Sequence, residues 1–226
     1  MQKSLTKNSI YNVIYTIANI LFPFATSIYV SRILLPAGVG KVASAQNIVS
    51  YFVTLAALGL PSYGVREFAK VREKKYERNK LFTELLLVNI ISTTLAVVGF
   101  IGLVVVNEGF SGQWALYAAC GLSIAFNYLN IDWMYQGLEE YGYITGRSLL
   151  IKGLSLLALF LFVKTREDYV IYALISSLAT GGNYVFNVLN ARKYVALDFS
   201  RIELKRHMKP VLLIACIIFL FTIKLM

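Results

Sequence analysis

Leu85–Asn107 reads LLLVNIISTTLAVVGFIGLVVVN, twenty-three residues without a charged side chain. A helix rises about 1.5 Å per residue, and some 20 apolar residues cross the roughly 30 Å hydrocarbon core of a bilayer. This run is therefore long enough to span, and too uniformly apolar for the surface of a water-soluble fold. Outward from it the pattern repeats, because Asn8–Ser31, Val42–Val65 and Tyr169–Ala191 are also free of charge and of spanning length. Three further segments carry one charge each: Asp132 within 109–138, Lys152 within 148–163 and Lys224 within 210–226. The pattern predicts an all-α integral membrane protein with about seven transmembrane helices. The first six spans fall near 10–31, 42–63, 85–106, 114–138, 148–163 and 169–190, making a six-helix unit over 1–209. Residues 210–226 then begin a seventh span, which is read as cut short at Met226.

Composition agrees. The chain is 58% hydrophobic and 15% charged, against roughly 45–50% and 25% in soluble domains. Its net charge of +10 is distributed as membrane topology requires, since Lys and Arg are retained in cytoplasmic loops. With the N-terminus inside, sixteen of the 22 Lys and Arg residues fall in cytoplasmic segments, from Lys3 and Lys7 through 66–80 and Arg147 to 192–209. Arg32, Lys41, Lys164 and Arg166 fall outside. The basic character thus points to topology and to anionic lipid head groups, with no nucleic-acid partner expected.

The remaining chemistry is sparse. Cys120 and Cys216 sit in apolar spans, where they behave as small hydrophobes, and His207, the single histidine, lies in a basic stretch read as a loop. No metal, cofactor or enzyme activity is expected, for there is no nucleophile and base pairing and no metal-ligand cluster. The run from Ile10 lacks a small-residue cleavage site and is read as a retained first helix. Pro-Ala-Gly-Val-Gly-Lys at 36–41 lacks the spacing and following hydroxyl of a phosphate loop and is read as the turn between the first two spans. The longer connections 65–80 and 191–209 have the composition of amphipathic helices on the inner surface.

Polar residues recur on single helix faces. In the sixth span Ser176, Thr180, Asn183, Asn187 and Asn190 follow intervals of three and four, as do Asn12, Tyr15, Asn19, Pro23 and Thr26 in the first. Asn47, Ser50, Tyr51 and Thr54 do likewise in the second. One such stripe is accounted for by hydrogen bonding between helices; three in one bundle favour a shared hydrated cavity. Asp132, deep in an apolar segment, is a functional candidate with Lys152, Arg66 or Arg147 as partner. Pairing that merely holds the bundle together is the competing reading. Arg32, Lys41 and Lys152 either reach toward the head groups or receive an anionic group such as a pyrophosphate.

Three blocks carry a family resemblance. Residues 29–51 (YVSRILLPAGVGKVASAQNIVSY), 58–70 (LGLPSYGVREFAK) and 131–146 (IDWMYQGLEEYGYITG) resemble the N-terminal half of the polysaccharide flippases, within the multidrug, oligosaccharidyl-lipid and polysaccharide exporter superfamily. Arg32, Arg66, Glu67, Asp132, Trp133, Tyr135, Gln136, Gly137 and Glu139 match motif positions. The resemblance implies one lobe of a two-lobe exporter, with six helices in each lobe. Its implied task is moving undecaprenyl-pyrophosphate-linked oligosaccharide from the cytoplasmic to the periplasmic leaflet of a bacterial inner membrane, for O-antigen, capsule or exopolysaccharide. The implied partners are that lipid-linked sugar, membrane lipids, a C-terminal lobe and the polymerase machinery. Arg32, Arg66, Asp132, Lys152, Asn183 and Asn187 are the expected substrate-binding residues. The alternatives are a drug/cation antiporter of the same superfamily and a non-transporting truncated scaffold.

Overall fold

The computed structural model describes residues 5–200 and 202–225, and among them it contains helices and no strand. Lys3, Arg201 and Met226 lie outside the described residues, as do the side chains of Lys7 and Lys224. The helices in chain order are α1 (Leu5–Ala57), α2 (Leu60–Val71), α3 (Lys75–Val106), α4 (Trp114–Phe126), α5 (Asp132–Gly137), α6 (Tyr141–Phe162), α7 (Tyr169–Ala191) and α8 (Lys205–Leu225). Among the described residues, three stretches are long and apolar enough to cross a membrane: Ser9–Val71, Lys75–Val106 and Tyr141–Phe162.

The burial pattern is that of a protein dissolved in lipid. On α3, Leu85, Val88, Ala96 and Phe100 are buried, yet Leu95, Val98, Ile101 and Val105 on the opposite face are exposed and equally apolar. Three polar residues of this helix, Asn89, Ser92 and Thr93, are turned inward. Without water to satisfy them, they must bond within the protein. Ser92 Oγ donates to the Ala56 carbonyl at 2.6 Å, and Asn89 Nδ2 to the Asn127 carbonyl at 2.7 Å.

Helix α1 is two limbs, 5–34 and 36–57, meeting at Leu35, whose φ of 57° breaks the helix. The contacts show a reversal. The first limb runs parallel to α6, with Tyr11 against Thr145, Asn19 against Lys152 and Tyr29 against Val163. The second limb runs antiparallel to α3, with Phe52 stacked edge-on to Phe100 and Ala56 beside Ser92. The connection expected over 36–40 is thus a single residue, Leu35, and Pro36 opens the second limb, a first-turn place where its missing N–H costs nothing.

The segment 114–138, expected as one span, is interrupted. Helix α4 ends at Phe126, a 3-10 turn covers Asn127–Leu129, and the chain restarts as α5 at Asp132. Asparagine side chains explain the break by taking over backbone partners. Asn89 Nδ2 takes the Asn127 carbonyl and Asn130 Oδ1 accepts the Asp132 N–H at 3.4 Å, while Asn127 Nδ2 donates to Asn89 Oδ1 at 3.0 Å and to Thr93 Oγ1 at 2.8 Å, tying the interruption to α3.

At one end, hereafter the basic end, the two long loops also depart from expectation. Helix α2 stops at Val71, and Lys75–Lys80 is the first part of α3 rather than a surface helix. Among the described residues, those between Ala191 and Lys205 form no helix; they are a strap laid across α3. Asn79 Oδ1, Thr83 Oγ1 and Glu84 Oε1 accept the backbone N–H groups of Ala196, Asp198 and Glu203 at 3.1, 2.8 and 2.8 Å. The two basic loops therefore share one side, as the charge count requires. His207 is not in a loop; it belongs to the first turns of α8 and is buried.

The opposite, far end gathers Lys41, whose Nζ lies 5.0 Å from the Tyr169 ring centroid, and Arg166, whose carbonyl borders Gly38. The α6–α7 connection there is closed by Asp168, which accepts the N–H groups of Lys164 and Thr165 at 2.9 and 2.7 Å. Those two bonds hold its carboxyl below the ordinary carboxylate range.

Gly59 joins α1 to α2 with φ 73°, and a Cβ there would lie 2.9 Å from Ile214 Cγ2 and 3.0 Å from the Val211 carbonyl of α8. Gly59→Ala is therefore expected to destabilise by about 1–3 kcal/mol through strain and lost α8 packing. An unfolding titration in mixed micelles reads this, and an unchanged midpoint would refute it.

Candidate functional site

A cleft of about 250 Å³ opens between the first limb of α1, α5, α6 and α7. Its walls include Tyr15, Asn19, Asp132, Arg147, Lys152, Thr180 and Asn183. Two of the three polar stripes meet here. Asn19 and Tyr15 come from the first limb, and Thr180 and Asn183 from α7, with Asn187 one turn beyond. The opposite face of α7, with Leu178, Val185 and Leu189, is exposed and apolar. The stripe of Asn47, Ser50, Tyr51 and Thr54 does not line this cleft; Ser50 and Thr54 bond back to their own helix at Asn47 and Ser50.

The break between α4 and α5 sets Asp132 at the start of a new helix, facing α6 and α7. Arg147 answers it, with Nη1 3.1 Å from Asp132 Oδ1 and 3.1 Å from the Asn183 carbonyl. Asn187, itself fully buried, bonds to both Arg147 and Asp132. The Arg147 side chain is 4% exposed and that of Asp132 25%. Of the three partners open to Asp132, the structure selects Arg147.

That choice defines the electrostatics. Asp132 and Arg147 neutralise each other, and Lys152 is left with an amide oxygen, Asn19 Oδ1, at 2.5 Å. Its ammonium also lies 5.8 Å from the Phe22 ring centroid. The cleft consequently carries one positive charge without a carboxylate opposite it, amid hydroxyl and amide groups. Arg147 Nε and Asn183 Oδ1 are buried and lack a hydrogen-bond partner. Polar atoms in that condition are costly unless something else satisfies them.

The structure thus brings Asp132, Lys152, Asn183 and Asn187 together and leaves Arg32 and Arg66 elsewhere. Arg32 is exposed three residues before the reversal at Leu35, on the level of Val163. Eleven residues of α6 separate that level from Lys152, about 16 Å of rise. Arg66 is on α2 at the basic end, paired with Glu67 at 3.1 Å and 5.6 Å from the Tyr63 ring centroid.

Most of the other motif residues pack. The Trp133 ring lies against Gly64, where a Cβ would come within 2.9 Å, and against Phe68 at 5.3 Å. Gly137 admits Phe68, whose Cβ would be 2.6 Å from an added methyl. Glu139 pairs with Arg72 at 2.5 Å, and the Tyr135 hydroxyl donates to the Asn187 carbonyl at 2.6 Å. The blocks at 58–70 and 131–146 are therefore the two sides of one α2–α5 contact.

Sequence reasoning missed a fully buried carboxylate. Glu84 is 0% exposed and takes His207 Nε2 at 2.9 Å, the Glu203 N–H at 2.8 Å and Arg206. His207 Nδ1 in turn meets the Tyr63 hydroxyl at 2.7 Å. The available signal was its position, one residue before the charge-free run and four after Lys80, which is 4.0 Å away.

Comparison with known proteins supplies the family. The chain is 22% identical over 176 residues to a protein of Escherichia coli (strain K12) named "Putative O-antigen transporter", a match covering 78% of this chain and 42% of that one. It spans less than half of that relative's length. No solved structure matches the chain. A family profile described as "Polysaccharide biosynthesis protein" matches residues 5–223. With both sides of the cleft inside that match, the chain belongs to the polysaccharide biosynthesis protein family.

Proposed function

We propose that this chain forms one lobe, over 1–209, of a flippase for lipid-linked oligosaccharide, with 210–226 leading into a seventh span. In this reading the basic end faces the cytoplasm at the bacterial inner membrane. An undecaprenyl-pyrophosphate-linked sugar unit passes to the periplasmic leaflet along the cleft, with a second lobe completing the path. The observation that carries it is Lys152, a cation lining the cleft that meets the Asn19 amide and, among the described residues, no carboxylate, while the neighbouring Arg147 is occupied by Asp132. An ammonium of this kind suits a phosphate oxygen, and the surrounding Asn, Thr and Tyr groups suit sugar hydroxyls. A polar lining removes most of the penalty of bringing a sugar through hydrocarbon. The antiporter alternative is less favoured, because the acid in the cleft already has a cation. Arg32 and Arg66, at opposite ends, are suited to meeting the head group at entry and exit rather than in the cleft.

Lys152→Gln is expected to lower the initial flipping rate of a fluorescent lipid-linked oligosaccharide by about tenfold to a hundredfold, the worth of one charge-assisted contact. Lys152→Arg should retain most of the rate. Proteoliposomes holding the chain together with a C-terminal lobe provide the assay, and equal rates for wild type and Lys152→Gln would refute the role of this lysine.

A further inference from the structure

We infer that the groove between the second limb of α1, α3 and the start of α8 is a binding site for one anionic phospholipid from the leaflet at the basic end. The groove has a volume of about 410 Å³ and is lined by Phe52 and Leu55 of the second limb, Val88, Leu95 and Gly99 of α3, and Met208 of α8, among others. Along α3 it extends from Val88 to Gly99, a rise of about 16 Å, close to half of a roughly 30 Å hydrocarbon core. Its depth is thus that of one leaflet.

Size and charge select the occupant. A helix of this length and about 10 Å diameter would need on the order of 1,200 Å³, more than the groove offers, whereas a single acyl chain is thin enough. The groove holds one leaflet's depth of chain, far less than a long polyprenyl tail. At its mouth, Met208 and Leu212 are shared with a second hollow on α8 whose other walls include Lys205 and Lys209. Both lysines are exposed. They sit one turn apart beside the entry to an apolar slot, so a phosphate at the lysines places its acyl chain in the groove. This site is distinct from the Lys152 cleft and does not depend on flipping.

The test uses the full chain with Leu95→Trp, an exposed position on the groove wall, in nanodiscs containing equal amounts of phosphatidylglycerol and phosphatidylcholine. Bromine is placed on the acyl chains of one lipid or the other, and quenching of the new tryptophan is measured. A lysine near a lipid phosphate contributes about fivefold in affinity, so brominated phosphatidylglycerol should quench at least threefold more strongly than brominated phosphatidylcholine. The added changes Lys205→Gln and Lys209→Gln should abolish that preference, with quenching by brominated phosphatidylglycerol falling and quenching by brominated phosphatidylcholine rising until the two are equal. Equal quenching by the two lipids would overturn the inference, as would absence of quenching by either, which would mean that polypeptide fills the groove. Displacement by polyprenyl phosphate at a lower mole fraction than phosphatidylglycerol would overturn it too.

Discussion

Arg147→Met is expected to destabilise the bundle by about 3–5 kcal/mol, the usual cost of removing one partner from a buried ion pair. Arg147 is the junction of three elements: its guanidinium meets Asp132 of α5 and both Asn183 and Asn187 of α7, while it stands on α6. Removing it leaves the Asp132 carboxylate facing Asn187 alone in a setting where water is scarce. The Asp132 side chain keeps 25% exposure through the cleft, which places the effect toward the lower part of that range. The double variant Arg147→Met with Asp132→Asn should recover much of the loss, because the uncompensated charge is then gone. Unfolding titrations in mixed micelles for the four proteins of this cycle give the coupling directly. If the two changes simply add, the pair does not hold the bundle and its placement here is wrong. If the double variant regains stability without regaining flipping, Asp132 and Arg147 also shape the cleft for its passenger.

The second large effect concerns Glu84. Glu84→Leu is expected to release the strap 192–204 and raise the rate of trypsin cleavage there by more than tenfold. The strap is held by what α3 presents to it, and Glu84 is the centre of that hold, receiving the Glu203 N–H, His207 and Arg206 while fully buried. Each hydrogen bond to a charged group contributes about 1.5–3 kcal/mol, and a change of only 1.4 kcal/mol shifts a local opening equilibrium tenfold. Trypsin reports on this segment without any added label, since Arg192, Lys193, Lys205 and Arg206 lie in or beside it. Glu84→Gln should produce a smaller increase, because the amide oxygen still accepts the Glu203 N–H. Cleavage at the wild-type rate in Glu84→Leu would show that Asn79 and Thr83 hold the strap unaided. The same network fixes the first turns of α8 through His207 and Tyr63, so its loss should loosen the start of that helix.

The family match explains why the resemblance blocks are legible while their roles are not. Trp133, Gly137, Gly64 and Phe68 form one interlocked contact between α2 and α5, a packing constraint that leaves a recognisable local pattern. Lys152 and Asn19, the pair that sets the charge of the cleft, are separated by 133 positions and leave no such pattern. Of the residues expected to bind substrate, those within the bundle converged, and Arg32 and Arg66 lie toward its two ends.

The sequence by itself determined that this is an all-helical membrane protein, roughly where its apolar helices run, that its basic loops share a side, and that α7 carries a polar face. Those are sums over some twenty neighbouring residues or a 3.6-residue period, and hydrophobicity enters them one residue at a time. Tertiary structure alone decided that Arg147 and not Lys152 neutralises Asp132, that Leu35 is the reversal, that the fourth span breaks at the asparagines, and that the last loop is a strap on Glu84 rather than a surface helix. All but the reversal, which is a backbone break at Leu35, depend on which polar group finds its partner across a helix interface where no water can substitute, and such pairings join positions from fifteen to more than a hundred residues apart.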